Sequence, residues 1–361
     1  MADTPKLYRE KHVKYFKRVL QVLPGQYASL DTNRMTMAFF AISGLDLLGA
    51  LEEIGKGKSR IVEWIYSLQV LPDHTENCLA HCGFRGSSTL GNTFIKKNRG
   101  RHIWRDSAHV AMTYTALASL LILGDNLARV NKEAVLAGLR ALQQKDGSFS
   151  CVPEGSETDM RFVYCAACIS YILNDWSGVD TTKAVDYITK SISYEGAIGQ
   201  GPGTEAHGGP TFCAVASLFL MNKLSSTLSA QQCARLQRWC IMRQESGFQG
   251  RPNKPVDTCY SFWVGATLQL LGILDLTDFL FNRTFILSTQ SSITGGLAKW
   301  IDNPPDPLHT YLGLCGLSLI GEPGLLTLHA ALNISQRAAD HLGDLHRRWH
   351  KLHANDSIKK A

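Results

Sequence analysis

Three residues able to bind a borderline-soft metal stand in an informative pattern. Asp257 and Cys259 are two apart in the run Val256-Asp257-Thr258-Cys259-Tyr260, and His309 follows 50 residues after Cys259. Carboxylate, thiolate and imidazole give three ligands of a tetrahedral Zn²⁺ with the fourth position open, a catalytic pattern; structural sites close all four. An open position on a thiolate-binding ion is a place to activate a second thiol. Taken alone, the pattern also fits a helix N-cap at Asp257 and core side chains at Cys259 and His309.

A second set of residues would suit an anion. His207-Gly208-Gly209 precedes an apolar stretch, and Arg251-Pro252-Asn253-Lys254-Pro255-Val256 leads directly into Asp257. His207, Arg251, Lys254 and the Tyr260 hydroxyl would gather donors near helix N-termini, a natural cradle for a diphosphate, and Lys299 could add charge there. The alternative is a solvated loop with ordinary surface cations. Phe262, Trp263 and Tyr114 supply apolar surface beside both groups. Activated thiol, diphosphate and apolar pocket together suggest transfer of a prenyl group to sulfur.

These side chains need elements that bring distant positions to one place, and a repeat provides them. Glycine-centred turns recur at Gly83, Gly147, Gly196, Gly247 and Gly296, the last four spaced by 49, 51 and 49 residues. Amphipathic helices precede them (61–70, 134–144, 184–193, 232–243 and 282–290). More continuously apolar ones follow (109–123, 161–173, 211–220, 259–271 and 309–319), and a sixth apolar segment spans 35–51. A helix apolar all round must be enclosed, whereas a one-faced helix can form an outer layer. The pattern predicts an all-α fold, an α/α toroid of six hairpins with inner and outer helices. An open solenoid used as a scaffold is the competing arrangement. Cys259 and His309 then occupy equivalent places on adjacent inner helices. The expected organisation is an N-terminal extension over 1–20, one barrel domain over 21–349 and a polar tail over 350–361.

Composition removes several classes. The net charge of +6 is modest and concentrated at the two ends, without the basic stripe and aromatic platform of a nucleic-acid binder. The apolar stretch 110–124 is too short and too polar to span a bilayer. Ten cysteines without a secretory leader fit reduced thiols and a cytoplasmic protein. His74, Cys78, His81 and Cys82 form a loosely metal-like cluster in an interhelix loop, and Cys165-Ala166-Ala167-Cys168 lies inside an apolar helix where packing is the better account. No Asp-Asp-x-x-Asp or Asp-x-Asp-Asp string supports terpene cyclisation.

The stretches 82–87, 160–165, 205–209, 251–263 and 295–300 carry a resemblance to the β subunits of protein prenyltransferases, nearest to the type I geranylgeranyl branch, from about Lys11 to Trp349. That resemblance implies one Zn²⁺ on Asp257, Cys259 and His309. It implies diphosphate and lipid contacts from His207, Gly208, Gly209, Arg251, Lys254, Tyr260, Ser261, Phe262, Trp263, Lys299, Arg161 and Thr36. A pocket for a terminal Leu would be formed by Thr36, His109, Ala111 and Phe162. Thr36 matches the small residue that makes room for a twenty-carbon lipid, and Lys299 the lysine that replaces Mg²⁺. Leu312 stands where an aromatic residue is expected near the lipid end. An obligate α subunit, geranylgeranyl diphosphate and CaaX proteins such as Rho/Rac-type GTPases are the implied partners. Farnesyl and Rab-type sibling enzymes, and a non-enzymatic helical scaffold, are the alternatives.

Overall fold

The computed structural model describes residues 5–23, 25–72, 76–90, 107–155 and 157–360. The chain runs as helical hairpins: α1 (Arg9–Gln21) with α2 (Arg34–Leu47), α3 (Gly57–Ser67) with α4 (Val110–Ile122), α5 (Lys132–Leu142) with α6 (Met160–Ile172), and α7 (Thr181–Lys190) with α8 (Gly208–Leu220). After the single turn α9 (Leu224–Thr227) come α10 (Ala230–Ile241) with α11 (Tyr260–Leu270), α12 (Phe279–Ser288) with α13 (Pro307–Leu319), and the long α14 (Gln336–Lys360). Among the described residues, two short antiparallel pairs and four 3-10 segments join these helices; the pairs are β1 (Gln69–Val70) with β2 (Gly83–Phe84), and β3 (Leu328–His329) with β4 (Ile334–Ser335).

The expected toroid is present and closed. α2 packs on α4, α4 on α6, α6 on α8, α8 on α11, α11 on α13, and α13 returns to α2. These six are the inner helices, and burial explains why. α4 is enclosed at every residue but Ala111, whereas outer helix α7 buries only Ala184, Tyr187 and Ile188. One aromatic from each inner helix stands at an equivalent level. Tyr311–Phe39, Phe39–Tyr114, Tyr114–Tyr164, Tyr164–Phe212 and Phe212–Phe262 follow one another with centroids 5.5, 5.8, 5.6, 5.2 and 4.8 Å apart. Phe212, fully buried against two of these rings and Trp263, is the tightest node. Phe212→Ala is expected to cost about 3–5 kcal/mol, read as a lowered midpoint in chemical denaturation.

The turn glycines set the spacing between repeats. A Cβ on Gly147 would lie 2.1 Å from the Lys183 carbonyl of α7, one on Gly196 would lie 2.8 Å from Arg235 of α10, and one on Gly247 would lie 2.3 Å from Phe285 of α12. Each turn is thus crossed by the next outer helix at a distance that only glycine allows. The last turn follows the same rule with α1, since a Cβ on Gly295 would meet the Lys11 carbonyl at 2.2 Å. His12 completes the seam: its Nδ1 accepts the Gly296 N–H at 2.9 Å and its Nε2–H donates to Gln290 Oε1 at 3.0 Å. The segment expected as an N-terminal extension therefore contains a sixth outer helix, its buried face made of His12, Val13, Tyr15 and Phe16.

The inner helices run parallel, and their C-terminal end is plugged. Three tyrosine hydroxyls donate to consecutive carbonyls of the β3–β4 turn: Tyr164 to Ala331 (3.0 Å), Tyr114 to Leu332 (2.8 Å) and Tyr311 to Asn333 (2.6 Å). α14 crosses the same end, where Arg337 donates to the Ile122 carbonyl and His346 to that of Ile172. Those are last-turn carbonyls of α4 and α6, which have no partner within their own helices. With this end closed, the N-termini of the inner helices form the open mouth. Cys165, Cys168, Cys213, Cys240 and Cys315 are buried free thiols.

Candidate active site

The mouth is built from helix caps. His109, Asp159, His207, Cys259 and Asp306 are the N-cap residues of α4, α6, α8, α11 and α13. Equivalent capping positions on neighbouring helices place their side chains around one opening.

Asp257, Cys259 and His309 converge there, with one potential ligand atom from each lying within 4.8 Å of the others. Asp257 Oδ1 accepts the Cys259 N–H at 3.0 Å and stands 3.3 Å from His309 Nε2. The other ring nitrogen, Nδ1, meets Asp306 Oδ2 at 2.5 Å, and Asp306 Oδ1 also accepts the His309 backbone N–H at 2.9 Å. Burial pulls the His309 pKa down, but hydrogen bonds with Asp257 and Asp306 outweigh it and raise it to about 9. Burial and then the Asp257 charge push the Cys259 thiol well up. A carboxylate, a thiol and an imidazole in this arrangement fit a dication, whose charge reverses the penalty on the thiolate. The three residues can hold a metal ion.

Asp306 holds the His309 ring, a contact that the sequence showed only as the start of a helix. Metal-bound imidazoles are held by a carboxylate on the far nitrogen, and the Asp-x-x-His spacing was the available signal. Asp306→Asn keeps a capping oxygen but loses the negative charge behind the ring. It is expected to weaken metal affinity by about 10- to 100-fold, measured by competition with a chelator.

The anion-binding candidates are partly assembled. His207 Nδ1 accepts the Gly209 N–H at 3.2 Å, so the neutral ring carries its proton on Nε2 and donates it to Tyr260 Oη at 2.9 Å. Burial, followed by the nearby Arg251 charge, lowers the His207 pKa and favours this neutral form. The Tyr260 hydroxyl hydrogen is then free to point into the mouth. Gly208 donates its N–H to the Gly250 carbonyl at 2.7 Å, tying α8 to the loop that carries Arg251. Arg251 is ion-paired through Nη1 to Glu205. Lys254 is exposed on the same loop. Lys299 Nζ lies 3.6 Å from Asp257 Oδ2 and 4.3 Å from the Trp300 ring centroid.

The residues expected around lipid and peptide fall into two places. Arg161 is held by Asp159 (2.9 and 3.0 Å from Nε) above Phe162, whose ring meets His109 edge-on at 6.0 Å. Half-buried Ala111 donates its N–H to His109 Nδ1 at 3.1 Å, and Thr36 contacts Met112 Sδ at 3.4 Å on the adjoining helices. Across the mouth Trp263 is half-buried, with Phe262 fully buried behind it. Ser261 requires a correction. Its hydroxyl donates to Asn282 of outer helix α12 at 2.8 Å and the residue is 1% exposed, so it faces away from the mouth and joins the two helical layers. In the rival cluster, His74 and the Cys78 side chain lie outside the described residues. His81 pairs with Glu154 at 3.2 Å, and Cys82 is buried.

Residues 7–334 match the prenyltransferase alpha-alpha toroid domain. The chain belongs to that family. It is 42% identical over 338 residues to the geranylgeranyl transferase type-1 subunit beta of Dictyostelium discoideum, covering 91% of this chain and 96% of the relative. The corresponding subunit of Arabidopsis thaliana is 39% identical over 342 residues, covering 92% and 90%. A solved structure, Candida albicans protein geranylgeranyltransferase-I complexed with GGPP, superposes with a TM-score of 0.80 at 26% identity, covering 94% of this chain and 99% of that one. Membership of the prenyltransferase family joins the closed toroid and its metal-capable mouth to group-transfer chemistry. No helix among the described residues is long and apolar enough to cross a membrane.

Proposed function

We propose that this chain is the catalytic β subunit of a cytoplasmic type 1 protein geranylgeranyltransferase. It would transfer the lipid of geranylgeranyl diphosphate to the cysteine of proteins ending in a CaaX box, preferably with a terminal Leu. The observation that carries this is the meeting of Asp257, Cys259 and His309 at a mouth shared with His207, Tyr260 and Arg251. The relatives in Dictyostelium and Arabidopsis are named as type 1 β subunits, which supports both the lipid and an α-subunit partner.

In the reaction a carbon–sulfur bond forms at C1 of the lipid as the C1–oxygen bond breaks and pyrophosphate leaves. Zn²⁺ on Asp257, Cys259 and His309 would supply the charge that keeps the substrate thiol, with an ordinary pKa of about 8.5, ionised at neutral pH. Asp306 fixes the His309 ring, and Asp257 caps the start of α11 while presenting its carboxylate. Tyr260, Arg251 and Lys254 donate to the departing diphosphate, donors placed before charge develops on it. Lys299 takes the place of a Mg²⁺ ion, so transfer needs no added magnesium. Trp263, Arg161 and Thr36 border the lipid, and Thr36, His109, Ala111 and Phe162 border the terminal residue of the peptide. Rho/Rac-type GTPases fit as substrates.

Co-expression with an α subunit and a transfer assay on peptides ending in Leu, Ser or Met, with fifteen- and twenty-carbon diphosphates, tests this. The Leu peptide and the twenty-carbon donor should be preferred. Thr36→Trp fills the space beside Met112 and should shift the lipid preference toward fifteen carbons by about 10- to 100-fold. Preference for the shorter donor in the unaltered protein would assign the chain to farnesyl transfer.

A further inference from the structure

Arg251 is placed from three sides. Gly250, just before it, is tied through its carbonyl to the Gly208 N–H at 2.7 Å. A Cβ on Gly250 would lie 2.3 Å from the Tyr260 ring, so ring and backbone are in direct contact there. These two contacts fix where the arginine leaves the chain, but they leave a long flexible side chain undirected. Its far end is set by Glu205, whose Oε2 meets Arg251 Nη1. Glu205 stands two residues before His207, which is bonded to Tyr260.

We infer that Glu205 is a positioning residue for the diphosphate: it holds the Arg251 guanidinium by one nitrogen so that the remaining N–H edge faces the anion beside Tyr260. This rests on the diphosphate cradle proposed above. A guanidinium offers five donors in a rigid fork, and the contact with Glu205 is through Nη1, leaving Nε and Nη2 for a phosphate oxygen pair. The pair is solvent-facing, with side chains 37% and 52% exposed, so its own contribution to folding is small. Its effect lies in orientation. A carboxylate beside an anion site also repels the ligand, so simple electrostatics makes the opposite forecast: removing Glu205 would tighten binding. The two effects differ in what glutamine does, because its amide oxygen still accepts from Nη1 but carries no charge.

The test uses the heterodimer with Glu205→Ala, Glu205→Gln, Arg251→Ala and the Glu205→Ala/Arg251→Ala double variant. The readouts are the inhibition constant of inorganic pyrophosphate and the equilibrium Kd of geranylgeranyl diphosphate. Glu205→Ala should weaken both by about tenfold, Glu205→Gln should stay within about threefold of the unaltered protein, and adding Glu205→Ala to Arg251→Ala should cause no further loss. Tighter or unchanged binding in Glu205→Ala would overturn the inference, as would a loss that persists in the Arg251→Ala background. If Arg251→Ala alone binds pyrophosphate normally, the cradle itself is wrong and the role of Glu205 falls with it. Weakened binding in Arg251→Ala but not in Glu205→Ala overturns only the positioning role.

Discussion

Cys259→Ala is expected to leave a folded toroid that retains no stoichiometric metal and transfers lipid slower on the order of 10³-fold, about 4 kcal/mol of barrier. Cys259 is the N-cap residue of α11 and 7% exposed, and its side chain makes no cap hydrogen bond, so alanine removes little packing and no capping. What it removes is the one soft ligand of the set. Asp257 and His309 would remain, two hard or borderline donors that hold Zn²⁺ far more weakly than three ligands do. Elemental analysis of the purified heterodimer and single-turnover transfer, on the same sample, separate loss of metal from loss of fold. Full activity in this variant would sink the thiol-activation mechanism.

Arg251→Ala is expected to give the complementary result: metal content unchanged and single-turnover transfer slowed by about 10²-fold. Preorganised donors at a leaving group act where charge appears in the transition state, so their removal lowers the rate constant more than it lowers substrate affinity. Arg251 lies on the loop running into Asp257, and its ion pair is with Glu205 rather than with a metal ligand. Metal retention in Arg251→Ala and metal loss in Cys259→Ala would therefore divide the mouth into two functional halves. Equal metal loss in both would show instead that the loop folds around the ion as one unit.

The toroid was legible in the sequence because its physical cause repeats. Glycine turns at nearly constant spacing, followed by helices apolar on every face, leave few ways to bury that surface other than a ring. The register also placed Cys259 and His309 on adjacent inner helices, because a repeat converts sequence distance into spatial equivalence. Features that depend on contact between repeats were not legible. α1 reads as a charged N-terminal segment until Gly295 is seen to leave room for its backbone and His12 is seen to bond Gly296. The plug is invisible because carbonyls of Ala331, Leu332 and Asn333, which any residue supplies, receive the three tyrosine hydroxyls. Ser261 illustrates the converse: it sits within a functional motif, yet helical rotation turns its side chain to Asn282 and the outer layer. Asp306 and Glu205 act through His309 and Arg251, and side chains of that kind have no spacing rule of their own beyond nearness in the chain.

The most direct measurement is the transfer rate of the heterodimer, with geranylgeranyl diphosphate and a Leu-terminated CaaX peptide, as bound metal is withdrawn stepwise by a chelator. Rate and zinc content should fall in proportion and return together when zinc is restored. Transfer that persists at its full rate after the metal has been removed would contradict a metal-activated thiol at Asp257, Cys259 and His309.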